Sequence, residues 1–212
     1  MAKYVLIGGG DTGRGNTIYE TEKIDKYVVE LTNKENPTFL FIGLASTFSD
    51  SYYDTMKKIY KELGCTTTYL KKKNIINNPD IVKNKIMNAD IIYFCGGDTI
   101  KLMDTLKEYK VVEVLKEKVK TDCVFCGISA GAIAISKEGF SDSYILRGES
   151  DKYLFVKGLG LVDVIVCPHY EKNSTKDKEL QEYLKNNKMD VKLIRNKEAL
   201  VIDKDKQIYI NE

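Results

Sequence analysis

Residues 123–136 read CVFCGISAGAIAIS, an apolar run that stops at Gly127, passes Ser129, meets a second glycine at Gly131 and resumes as a short apolar segment of helical character. A strand that only had to end could use Asn, Asp or a single Gly. Glycines two residues to either side of Ser129 indicate a turn so tight that neighbouring backbone leaves no room for side chains. Strand, Gly-x-Ser-x-Gly, then helix is the pattern of a nucleophile elbow, in which a serine is held in a strained conformation at the top of a sheet. The N–H of the next residue, Ala130, would then point at a developing oxyanion.

A serine hydroxyl is a poor nucleophile at neutral pH and needs a base to take its proton. The chain has one histidine, so the choice of base is forced. His169 follows the apolar run Val164-Ile165-Val166-Cys167 and Pro168, whose ring fixes the approach of the backbone. It is expected at the carboxyl end of a strand, on the same sheet edge as Ser129. The acid that would orient the imidazole is open among Asp142, in Gly139-Phe140-Ser141-Asp142-Ser143, and its rivals Glu149, Asp151 and Glu171. The order Ser129, Asp142, His169 mimics that of α/β-hydrolases, but Asp142 follows the serine far too closely for that fold.

The rest of the chain sets the frame. Its 212 residues are 43% hydrophobic and 30% charged, ordinary for a globular protein. The 33 basic and 31 acidic residues nearly cancel, which leaves no electrostatic footprint for nucleic acid. Lys71-Lys72-Lys73, the one compact basic run, reads as a solvated turn. No stretch approaches the ~18 apolar residues of a membrane span, and the N-terminus lacks the apolar core of a signal peptide. Five cysteines, odd in number and mostly inside apolar runs, fit buried thiols in a reducing compartment, so a cytoplasmic location is expected. Cys123 and Cys126 sit at strand spacing and face opposite ways, so no zinc set is expected, and neither metal nor cofactor is required.

Short β-rich runs alternate with longer amphipathic segments. Strands are expected at 3–7, 38–44, 66–70, 90–95, 122–126, 163–167 and 191–194. Helices are expected at 17–34, 51–63, 80–87, 99–120 with a break near Tyr109, and 175–187. Apolar strands alternating with helices imply one α/β domain over 1–212, with a largely parallel sheet covered on both faces. The tail EALVIDKDKQIYIN, 198–211, implies a closing antiparallel hairpin. In such sheets ligands bind beyond the carboxyl ends of the strands.

Two further glycine loops fall at such ends. Gly8-Gly9-Gly10-Asp11-Thr12-Gly13-Arg14-Gly15 is a poor dinucleotide fingerprint, because the second strand carries no carboxylate at its tip, and no Gly-Lys-Ser/Thr is present for a P-loop. It reads as a flexible loop near a site. Gly96-Gly97-Asp98-Thr99 lets backbone N–H groups approach a ligand, with Asp98 or Thr99 capping the next helix.

The segments FCGGDT, GISAGA, GFSDS and GLGLVDVIVCPHY, in this order and at about these spacings, resemble peptidase family S51, the aspartyl dipeptidases and cyanophycinases. The resemblance spans roughly Asp90 to Tyr170, with ALVIDK fitting a late family strand. It implies a flavodoxin-like three-layer α/β/α sandwich related to class I glutamine amidotransferases, and a serine peptidase acting on short peptides such as Asp-X dipeptides through an acyl-enzyme. By motif, Ser129 matches the nucleophile, His169 the base, Gly97 and Ala130 the oxyanion donors, and Asp142 the acid. Asp98 stands where family members often have Asn, and places a negative charge beside the site. Arg14 and Arg147 would balance it if they fold over the cleft, so Asp98, Thr99, Arg14 and Arg147 are the candidate substrate contacts. The partner expected is a small peptide, for a monomer or homodimer. A thiol route through Cys126 or Cys95, as in the amidotransferases, and a non-catalytic binding module are the alternatives.

Overall fold

A computed structural model describes residues 1–211 except 14, 16 and 46–48, and except the side chains at 49, 73, 74 and 77. Five parallel strands form the centre: β1 (Lys3–Ile7), β2 (Thr38–Ile42), β3 (Thr66–Leu70), β4 (Ile91–Phe94) and β5 (Val124–Ile128), in the order β1-β5-β4-β2-β3. Every residue of β4 and β5 is buried, as expected of parallel strands covered on both faces. The covering helices are α1 (Glu22–Glu30), α2 (Ser49–Glu62), α3 (Lys72–Asn77), α4 (Pro79–Met87), α5 (Thr99–Glu108), α6 (Val111–Lys118), α7 (Ala130–Ile135), α8 (Ser143–Leu146) and α9 (Thr175–Asn186). The expected break near Tyr109 falls at Lys110, which takes a left-handed φ of 55° between α5 and α6. Under the sheet, the rings of Phe39 and Tyr60 stack with centroids 3.8 Å apart.

The remaining strands divide in a way the sequence pattern did not show. β6 (Ser136–Ser141), β7 (Leu154–Lys157), β8 (Val162–Cys167) and β9 (Val191–Leu193) make a separate four-stranded sheet ordered β7-β6-β8-β9. β8 therefore does not share a sheet with β5, contrary to expectation. Its burial explains why: Val162, Asp163 and Ile165 keep solvent contact, whereas Val164, Val166 and Cys167 are buried, a strand packed mainly on one side. β6 was hidden because Lys137 and Glu138 interrupt its apolar run. The expected C-terminal hairpin is present as β10 (Glu198–Asp203) and β11 (Lys206–Asn211), with β10 antiparallel to β1.

Register brings the loops together. Ile7 lies opposite Ile128, Phe94 opposite Gly127, and the Ser129 N–H donates to the Ile7 carbonyl at 2.9 Å. The carboxyl ends of β1, β4 and β5 thus finish level, with the glycine loops and Ser129 on one edge. The second sheet is stitched to that edge just past the end of β8, where the His169 N–H donates to the Gly8 carbonyl at 3.0 Å. A buried carboxylate anchors the helix below the first loop. Asp25 is fully buried and accepts hydrogen bonds from Tyr19, Thr21 and Tyr60 at 2.8–2.9 Å, which offset the cost of removing its charge from water.

Candidate active site

Ser129 has φ 56° and ψ −114°, outside the regions that side chains favour. The flanking glycines make this possible. A Cβ at Gly127 would lie 2.4 Å from the Gly131 carbonyl carbon, and one at Gly131 would lie 2.2 Å from the Phe94 carbonyl oxygen. Those neighbours are backbone atoms of the elbow and of the adjacent strand, and they cannot step aside. Gly131→Ala is accordingly expected to cost about 3 kcal/mol or more by overpacking. For a domain of this size that lowers Tm by roughly 6–12 °C. Thermal denaturation measures it, and an unchanged Tm would show that the elbow and β4 are not in contact.

His169, at a positive φ of 51°, turns back over the serine. Its Nε2 lies 2.8 Å from Ser129 Oγ. Its Nδ1 lies 2.6 Å from Oδ1 of Asn196, in the turn between β9 and β10. An amide oxygen can only accept, so it holds the proton on Nδ1 and leaves Nε2 free to receive one from the serine. Although one edge of His169 is open to solvent, protein surrounds the rest of the ring, and this desolvation pulls its pKa below the usual value. The Asn196 hydrogen bond and Asp142 oppose the shift, and Lys176 adds to it.

Asp142 does not take the place expected for the orienting acid. It sits at the start of α8 and lines a cavity of about 460 Å³ on the other side of His169, together with Tyr153, Glu171, Ser174 and Lys176. Of its rivals, Glu149 pairs with Arg147, Asp151 is exposed, and Glu171 lines the same cavity as Asp142; none of them is the partner of Nδ1. Asn196 bears no titratable group, so it is not marked in the sequence as a partner for a histidine. The expected hairpin did not show which strand it would join, and it is the pairing of β10 with β1 that brings Asn196 alongside the first glycine loop.

That loop is part of the site rather than a loose neighbour. The Gly8 N–H donates to the Glu198 carbonyl, the Gly8 carbonyl accepts from His169, and the Gly9 carbonyl accepts from the Lys197 N–H at 2.8 Å. Further out, Glu20 accepts from the Asp11 N–H at 3.0 Å and pairs with Lys197 at 2.7 Å. Gly9, Gly96, Gly97, Tyr52, Ser129 and His169 line a cavity of about 250 Å³. Gly97 has a φ of 139° that only glycine adopts readily, and Ala130 is the first residue of α7, where an N–H has no partner within the helix. Tyr52 had no sequence signal beyond its place on an amphipathic helix.

The other expected contacts are used differently. Thr99 is buried, its N–H donating to Ser143 Oγ at 2.9 Å and its hydroxyl 3.2 Å from Ser141 Oγ, so it ties α5 to α8 instead of facing a ligand. Asp98 caps α5 through the N–H groups of Ile100 and Lys101 and meets Arg147 at 3.7 Å. Arg147 also pairs with Glu149 at 2.8 Å and does not line either cavity. Arg14 lies outside the described residues.

The cation that does face the site is Lys176, in the first turn of α9. Only 7% of this residue is exposed; its ammonium donates to the Pro168 carbonyl at 2.7 Å and lies 5.1 Å from the Tyr153 ring centre. Burial lowers its pKa, and the neighbouring Cys167 and Asp142 oppose that shift. A lysine in a first helical turn works against the helix dipole, but Lys23, Lys72 and Lys101 share that placement, so the sequence did not set Lys176 apart.

Cys126 and Cys95 are fully buried, and burial pushes the Cys126 thiol well up, so no thiolate reaches the cleft from that position. Among the described residues no group of three or more His, Cys, Asp or Glu could hold a metal ion, and no helix is long and apolar enough to cross a membrane. A largely apolar cavity of about 220 Å³ between α4 and α6, lined by Val82, Tyr109 and Val114 among others, has no serine, cysteine or histidine in its lining.

Comparison with known proteins places the family and the fold. Uncharacterized peptidase YgaJ of Bacillus subtilis is 30% identical over 173 residues, covering 81% of this chain and 70% of that protein. Peptidase E of a Nostoc species is 23% identical over 196 residues, 87% of this chain and 75% of its own. The crystal structure of a peptidase from an acI-B1 Actinobacterium superposes with a TM-score of 0.74 at 22% identity, over 100% of this chain and 88% of that one. The shared architecture is the flavodoxin-like three-layer fold with antiparallel C-terminal strands. The family model for peptidase family S51 matches residues 4–210, nearly the whole length, and the chain belongs to that family.

Proposed function

We propose that this peptidase is a serine dipeptidase that removes an acidic N-terminal residue. The observation that carries the reading is the 2.8 Å contact between the hydroxyl of a strained elbow serine and the base nitrogen of the chain's one histidine. Ser129 Oγ attacks the scissile carbonyl while His169 Nε2 takes its proton. The oxyanion is met by the N–H groups of Gly97 and Ala130, each worth about 3–4 kcal/mol in comparable sites. His169 then protonates the departing amine, and the same base activates the water that releases the acyl group.

The cavity beside His169 supports the substrate class. Lys176 holds a cationic group there with hydrogen-bonding capacity beyond its single carbonyl contact, which suits a side-chain carboxylate. Asp142 lines the same space and suits the free α-ammonium of a first residue. The charge of Asp98 does not oppose this, because it is engaged by helix α5 and Arg147.

Hydrolysis of a dipeptide panel with Asp, Glu, Asn, Leu or Lys in first position tests the proposal, with Asp-X expected to lead. Lys176→Met keeps the stem and removes the charge; loss of a charged hydrogen bond, about 1.5–3 kcal/mol, should lower kcat/KM for Asp-X roughly 10- to 150-fold. Asn-X should be much less affected. Equal turnover of Asp-X and Lys-X by the wild type would end the acidic-residue reading, and failure to react with a serine-directed phosphonate would end the peptidase mechanism.

A further inference from the structure

Asn196 occupies a position where a carboxylate was expected, on a turn whose backbone is held firmly. The turn that carries it is fixed by backbone bonds on both sides, Gly8 N–H to the Glu198 carbonyl at 2.9 Å and Lys197 N–H to the Gly9 carbonyl at 2.8 Å. Inside the turn, the Arg195 N–H donates to Glu198 Oε2 at 2.9 Å. The bare Cα of Gly9 leaves room for the amide, since a Cβ there would stand 2.3 Å from Asn196 Oδ1. Resting on the serine-peptidase reading, we infer that Asn196 is the positioning residue of an uncharged triad, Ser129-His169-Asn196, whose base stays competent in more acidic solution than a carboxylate-bearing triad would.

The physical reason is a separation of two tasks that a carboxylate performs together. A hydrogen-bond acceptor at Nδ1 selects the tautomer that leaves Nε2 basic, and an amide oxygen does this as well as a carboxylate oxygen. A carboxylate also stabilises the imidazolium by charge, making the ring easier to protonate. With an amide that second effect is absent. The other groups facing the ring do not restore it. Asp142 at the start of α8 favours the protonated form, and Lys176 on α9 disfavours it. Tyr153 and Glu171 line the same cavity, and Asp11 lines the cavity on the Ser129 side. The hydrogen bonds to the ring come from two neutral groups, Ser129 and Asn196. The sign follows. The catalytic form is the neutral imidazole, so a lowered pKa extends activity downward, and the acid limb of kcat/KM should fall below the ~6.5 of an unperturbed histidine.

A single histidine makes the test direct, because ¹⁵N-imidazole labelling reports His169 alone. The neutral ring should carry its proton on Nδ1 in the wild type. Asn196→Ala should let the other tautomer appear and lower kcat by about 10- to 10³-fold with KM little changed. Asn196→Asp should restore the Nδ1 tautomer and raise the midpoint of the ring titration by about a tenfold or larger change in proton concentration, with the acid limb of kcat/KM moving with it. The NMR measurements need no substrate, so an unsuitable peptide cannot be mistaken for failure of the inference. Asn196 is exposed, so these variants are expected to fold. An unchanged tautomer in Asn196→Ala, or an unmoved titration in Asn196→Asp, would overturn the assignment.

Discussion

Ser129→Ala is expected to lower kcat on an Asp-X dipeptide by about 10⁴-fold or more, with little change in Tm. The size follows from what is removed: loss of the nucleophile in a triad hydrolase costs up to about 10⁶, the residue of catalysis coming from the oxyanion donors and binding. The near-constant stability follows from the backbone. The φ of 56° at this position is imposed by the packing of Gly127 and Gly131, and alanine is no worse in it than serine. What remains is one partly exposed hydrogen bond to His169, worth about 1 kcal/mol. Initial rates, a Tm and phosphonate labelling on wild type and variant suffice. Activity within tenfold of wild type would remove Ser129 from the chemistry, and thiol alkylation would then have to be examined despite the burial of Cys95 and Cys126.

The parts of this site that could be read from the sequence are those whose geometry is local. Gly127, Ser129 and Gly131 form a turn whose strain is written into adjacent residues, and Ile91–Phe94 and Val124–Ile128 are apolar throughout because both faces are covered. His169 was legible by scarcity alone. Its route to the serine was not, since β8 belongs to a second sheet and reaches the first through a backbone bond to Gly8. Asn196 arrives only because β10 pairs with β1, a contact between opposite ends of the chain that no local pattern encodes. Thr99 illustrates the opposite error. Next to a glycine loop it looked like a ligand contact, but its position as first residue of α5 turns both its polar groups toward Ser141 and Ser143. Arg147 lost its expected role for a related reason: a side chain's reach depends on which neighbouring carboxylates claim it, and Glu149 and Asp98 claim Arg147, while Lys176, for which no role was expected, lines the cavity beside His169.

Gly9→Ala should impair catalysis without removing any catalytic atom, at a modest cost in stability. The φ of Gly9 is not among the positive values, so alanine fits the backbone. It does not fit the site. Its Cβ would stand 2.3 Å from His169 Cε1, 2.4 Å from Nδ1 and 2.3 Å from Asn196 Oδ1, wedged into the hydrogen bond that orients the ring. Relief of more than an ångström is needed, and the ring and the amide are the groups that can give, because both belong to exposed residues and His169 lines an open cavity on either side. Misplacement of a catalytic group by about 1 Å can cost around 10²-fold, so kcat should fall by about 10²- to 10³-fold. The stability loss should stay within the ~1–3 kcal/mol of an overpacked contact that side-chain movement can relieve. Gly8→Ala provides the contrast. There the Cβ would meet the carbonyl oxygens of Arg195 and Ile194 at 2.2 and 2.5 Å, which are backbone, so the fold itself should suffer and Tm should fall further than in Gly9→Ala. Measuring kcat and Tm on both variants reads the distinction. Full activity in Gly9→Ala would mean that His169 does not depend on its contact with Asn196, and that the close packing of the first glycine loop against the ring has no part in catalysis.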